Sequence, residues 1–106
     1  MGNSKPMTMA GSLGGAKFKV PEHVVFRRFP AETVVLNLQT GKYHGLNPTA
    51  GGMLEALSAS GSIPPAAAKV AEEYGRDPAA IEADLRKLCK ALLERGLLEI
   101  DGEPAG

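Results

Sequence analysis

The chain has 106 residues, 43% of them hydrophobic and 23% charged, with twelve basic side chains balanced by twelve acidic ones. That length holds one domain with a modest core, and the balance lacks the clear basic excess with which a DNA-binding domain meets phosphates. A lone cysteine, Cys89, excludes an intramolecular disulfide framework and fits a reducing compartment.

No apolar run reaches the length of a signal peptide or a membrane span, so the expected location is cytoplasmic, without a membrane partner. There is no Trp, and only three Phe and two Tyr, so the core must come mainly from Leu, Val, Ile and Ala.

Residues 1–20 are rich in Gly, Ser and Met without a sustained period, and are expected to form a disordered N-terminal tail. The segment Gly11 to Gly15 within it lacks a preceding strand and the lysine of a phosphate-binding loop. Residues 21–100 are expected to form the folded domain, and 101–106 a frayed, polar C-terminus. Between Pro21 and Glu99 there are nine basic and ten acidic residues, so the domain itself is close to neutral.

Val24 to Phe29 reads as a first strand, stopped by Pro30. Thr33 to Leu38 follows, dense in β-branched residues, with Val34, Leu36 and Leu38 on one face and Thr33, Val35 and Asn37 on the other. Gln39 to Lys42 supplies a turn with Gly41 available for positive φ, and Lys42 to Leu46 a third strand. Short connections predict a meander whose third strand is an edge with half its backbone groups unpaired.

After Leu46 the period becomes helical. Asn47-Pro48 is a cap followed by a first-turn proline, and the helix it starts places Met53, Leu54 and Leu57 inward. Gly51-Gly52 within it costs about 1 kcal/mol per Gly relative to Ala, which implies close packing there or a weak first turn. A second helix runs from about Ser62 to Tyr74, with Ala67, Val70, Ala71 and Tyr74 inward. Asp77-Pro78 repeats the start signal, and the last helix runs to about Arg95, carrying Ile81, Leu85, Leu88 and Leu92 in one stripe before Gly96 stops it. Leu97 to Ile100 can add a short extended piece. Three strands followed by three helices predict an α+β domain of winged helix-turn-helix type.

Little in the chain suggests catalysis. His23, His44 and Cys89 are too widely spaced to suggest a metal site, and no cofactor is implied. Cys89 lies in a leucine-rich helix, the setting of a small buried hydrophobe rather than of a nucleophile. No nucleophile–base pair is evident, so the chain is expected not to be an enzyme. What remains is the edge strand, able to accept a partner strand by β-augmentation, and a last helix of mixed charge that is short of the Asn and Gln that read adenine.

These residues carry a resemblance. The run Gly41-Lys42-Tyr43-His44-Gly45-Leu46-Asn47-Pro48-Thr49-Ala50 resembles the turn, third strand and Leu-Asn helix cap of the PqqD family, also described as the RiPP recognition element. (RiPPs are ribosomally made, post-translationally modified peptides.) Ala71-Glu72-Glu73-Tyr74 is similar to the end of the family's second helix. Asp84-Leu85-Arg86-Lys87-Leu88, Leu92 and Gly96-Leu97-Leu98 are similar to its final helix and terminus. Ser62 with Pro64-Pro65, and Gly51-Gly52, depart from the family's usual pattern.

The resemblance implies a peptide chaperone that takes a precursor's leader segment as an added strand and delivers it to a modifying enzyme of the same pathway. That enzyme would be a leader protease or a radical enzyme, in a lasso-peptide, quinone-cofactor or related pathway. The implied peptide-binding residues are Lys42, Tyr43, His44, Gly45 and Leu46 on the strand, with Leu85 and Cys89 lining the groove and Arg86 or Lys90 meeting leader carboxylates. The alternative is a winged-helix transcription factor, against which charge neutrality argues; a nucleic-acid partner is not expected. A monomer is expected, with weak self-pairing of the open edge as its alternative.

Overall fold

The computed structural model of the chain describes residues 16–101; residues 1–15 of the expected tail and 102–106 of the expected frayed end lie outside the described residues. Three strands, β2 (Val24–Arg28), β3 (Thr33–Asn37) and β4 (Tyr43–Leu46), form an antiparallel sheet in the order β2-β3-β4. Three helices follow, α1 (Pro48–Ser60), α2 (Ile63–Tyr74) and α3 (Pro78–Glu94). The fold class is the expected α+β meander and helical trio.

Local chemistry explains the boundaries. Asn37 folds its side chain over the turn after β3, its Oδ1 accepting from the amides of Gln39 at 2.9 Å and Thr40 at 3.3 Å. Asn47 caps α1, accepting from the Ala50 amide at 2.8 Å, and Asp77 caps α3 through the Ala79 amide at 3.3 Å. In each case proline occupies the first turn, where no amide hydrogen is needed.

The sheet's register decides what is buried. Phe26 pairs across Val35 to His44, and Arg28 across Thr33 to Leu46; these rows face the helices. Val25 pairs across Leu36 to Tyr43, and Arg27 across Val34 to Gly45; these rows face away. Thr33 and Val35 are fully buried, so the β3 face against the core is the one carrying Thr33, Val35 and Asn37. The Val34, Leu36 and Leu38 face is turned outward and shares an open apolar surface with Val25, Phe29 and Tyr43. A shallow depression of about 420 Å³ lies on it.

The Gly51-Gly52 pair is a contact device. A Cβ on Gly51 would stand 1.9 Å from Thr33 Oγ1, and one on Gly52 would stand 2.8 Å from the Tyr74 hydroxyl. The absence of side chains at these two positions lets α1 press against β3 on one side and α2 on the other. Arg28 adds an ion pair with Glu55 of α1.

The folded unit begins earlier than the boundary expected at residue 21. Strand β1 (Phe18–Lys19) pairs antiparallel with β5 (Glu99–Ile100), and Phe18 is only 3% exposed within the core cluster. Its amide donates to Gly61 O at 2.7 Å, and Asp101 donates to Lys17 O at 2.7 Å. The partner segment lies about eighty residues away, so no local periodicity announces β1.

Candidate functional site

Strand β4 has β3 on one side and, among the described residues, no strand on the other. The Asn37 amide donates to Lys42 O at 2.9 Å, which fixes the phase of the ladder. Residues 42, 44 and 46 therefore exchange bonds with β3, and Tyr43 and Gly45 direct their N–H and C=O groups outward. Two donors and two acceptors thus stand ready in the geometry a fourth strand of this sheet would need.

Beside this edge lies a groove. Its floor at the Leu46 end is a cavity of about 340 Å³ lined by Asn47, Thr49, Ala50 and Met53 from the start of α1, by Asp84 and Leu88 of α3, and by Arg76. At the Tyr43 end, Arg95, the residue closing α3, donates from Nη1 to His44 Nδ1 at 3.1 Å. Along α3, Asp84, Leu88 and Arg95 stand at i, i+4 and i+11, a single stripe running the length of the groove. His44 and Leu46 lie on the helix-facing side of the sheet, both half-buried.

The expected peptide-binding residues separate into three sets. Lys42 to Leu46 form the edge, with Lys42, His44 and Leu46 turned to the helix side and Tyr43 and Gly45 to the outer side. Leu85 and Cys89 are 0% exposed and belong to the hydrophobic core rather than to the groove wall. Burial pushes the Cys89 thiol up to about 11, the behaviour of an inert buried cysteine. Arg86 bonds Glu82 at 3.5 Å, and Arg86 and Lys90, each two residues from Leu88, point about 160° around the helix from it. The groove wall of α3 is the neighbouring stripe.

Sequence reasoning passed over Asp84, Leu88 and Arg95 as groove residues. The signal for them is the competition between Leu88 and Cys89 for the inward position. Cys89 takes it, completely buried, and Leu88 is left half-buried at the boundary.

Among the described residues no group of three or more His, Cys, Asp or Glu side chains is placed to hold a metal ion. Among them, no helix is long and apolar enough to cross a membrane.

The family model described as coenzyme PQQ synthesis protein D (PqqD) matches residues 32–98, more than half of the chain. No curated protein matches. Among solved structures, the chain is similar to TbiB1 in complex with the TbiA(beta) leader peptide, at 29% identity and a TM-score of 0.67, over 81% of this chain and 98% of that one. It is also similar to a lasso peptide synthetase B1 complexed with the leader peptide, at 25% identity and a TM-score of 0.68, over 79% of this chain and 99% of that one.

Proposed function

The chain belongs to the PqqD family, and from that premise we propose that it binds the leader segment of a ribosomally made precursor peptide and delivers it to a modifying enzyme. The observation that carries the reading is the open edge of β4 set beside a groove, with Tyr43 and Gly45 offering unpaired backbone groups. Backbone pairing along that edge gives the peptide its register, and the groove between β4 and α3 reads every second side chain. The two similar solved structures are both complexes with a leader peptide, which supports the same use of this fold here.

The peptide-contacting residues on this reading are Lys42 to Leu46 from the sheet, with Leu88, Asp84 and Arg95 from α3 and Met53 from α1. Leu85 and Cys89 support the wall from behind. The chain's part in catalysis is indirect: a tethered substrate meets the enzyme at a raised effective concentration. The enzyme partner is a leader protease or a radical enzyme, in a lasso-peptide or related pathway, within the cytoplasm.

The test is a titration of the chain into a fluorescently labelled leader peptide, taken from the precursor encoded beside its gene, with a scrambled peptide and a DNA duplex as controls. Saturable binding of the leader alone is expected. Binding of the duplex that weakens steeply with salt, with no response to the leader, would replace this reading with the transcription-factor one.

A further inference from the structure

The groove is electrically uneven from end to end. At the Leu46 end its basic residue, Arg76, stands 3.9 Å from the Asp84 carboxylate, so charge there is compensated. At the Tyr43 end three nitrogen-bearing side chains lie on the helix side of the strand. Lys42 and His44 share the helix-side face of the strand, and Arg95 reaches His44 from the end of α3. Among the described residues no carboxylate lies within 4.0 Å of Lys42 or Arg95. Arg95 is exposed, and its side chain bonds, among the described residues, to His44.

Resting on the strand-addition reading above, we propose that Lys42, His44 and Arg95 form a carboxylate subsite, which selects peptides bearing Asp or Glu at one defined position. The position follows from geometry. Antiparallel pairing, the more stable arrangement, lays the peptide's C-terminal side against Tyr43 and its N-terminal side against Leu46. The cavity over Leu88 and Met53, rimmed otherwise by the polar side chains of Asn47, Thr49, Arg76 and Asp84, therefore receives an earlier residue, seated on Leu88, and the cationic end a later one.

From Leu46 to Lys42 the strand advances roughly 13 Å, at ~3.3 Å per residue. From Leu88 to Arg95 the helix advances about 10.5 Å. Either length corresponds to three or four residues of extended peptide, and only an even spacing keeps both side chains on the groove face. The selected pattern is an apolar residue followed four positions later by an acidic one. A guanidinium presented in this way favours a carboxylate through two parallel hydrogen bonds.

The experiment uses the full chain and a set of labelled leader peptides in which each position in turn is Glu or Lys, read by fluorescence anisotropy. The apolar anchor is the residue whose replacement by Ala weakens binding most. Four residues after it, Glu should bind the wild-type chain about tenfold more tightly than Lys, and Arg95→Glu should reverse the order. Arg95→Gln, with unchanged helical circular dichroism, should reduce the preference without reversing it.

Peptide binding that is lost in Gly45→Pro but shows no Glu-over-Lys preference at that position would overturn the carboxylate subsite and leave the strand-addition reading standing. Absence of saturable binding by every peptide in the set would overturn both.

Discussion

At Gly51 the backbone of α1 meets Thr33 so closely that no other residue fits without displacement. Thr33 Oγ1 is buried and has no hydrogen-bond partner among the described residues, so the contact is tight and also polar without compensation. Two substitutions at this one contact should act in opposite directions. Gly51→Ala should lower stability by about 1–3 kcal/mol through overpacking. Thr33→Val, which replaces the orphaned hydroxyl by a methyl group of similar shape, should raise it by about 1 kcal/mol. Urea titration of both variants checks the pair.

Cys89 gives a pH signature. Its thiol is raised from 9.0 to about 11 by desolvation, so between those values the folded chain keeps a proton that the unfolded chain has released. Stability contributed by the neutral thiol is whole below pH 9 and is lost as pH rises towards 11, by at most about 1.4 kcal/mol per pH unit. The difference in pH dependence between the wild type and Cys89→Ala should show this fall; a parallel pair of curves would contradict it. The sequence exposed part of this scale. A glycine pair inside a helix implied close packing or a weak first turn, and a lone cysteine among leucines implied a buried hydrophobe. The opposing Thr33 was not legible, because nothing in a β-branched run says which face will turn inward.

Strand β4 and helix α3 are the elements on which the account depends. Gly45 directs its amide away from β3, and a Cβ there would meet the end of the Glu32 side chain, which can move aside. Gly45→Pro should therefore abolish leader binding and leave helical circular dichroism nearly intact, because it removes a donor from the open edge and none from the sheet. Affinity retained in this variant would contradict strand addition.

The two surfaces flanking β4 should respond differently. Leu88→Ala should weaken the leader about tenfold or more through loss of apolar contact in the groove. Leu36→Thr, on the outward face, should leave affinity unchanged. Element starts were plainly written in the chain, since Asn47-Pro48 and Asp77-Pro78 each pair a capping side chain with a first-turn proline. The rotation of α3 was not. Leu85, Leu88 and Cys89 are all apolar, and only packing against α2 decides which two face the core. One residue's difference in phase moves the groove wall from Leu85 and Cys89 to Asp84, Leu88 and Arg95.

Over the whole molecule, the open edge of β4 contrasts with the ladder that joins the two ends of the folded unit. The β1–β5 ladder ties the start of the folded unit to its finish and buries Phe18 against the helices. That pairing joins residues far apart in sequence and is invisible to any local pattern, which is why the expected domain boundary fell after it. The meander's order and its exposed third strand needed only short connections, and these the sequence does display. The outcome is a small scaffold whose sheet has edges at β2 and β4, and the β4 edge is the one proposed to accept a segment from outside.

Amide hydrogen exchange, measured with and without a saturating leader peptide, tests that use of the edge most directly. His44 and Leu46 donate to β3 in the free chain and should be protected throughout. Tyr43 and Gly45 should exchange rapidly in the free chain and become protected when the leader is bound. Bound leader with Tyr43 and Gly45 still exchanging at their free rates would contradict the account.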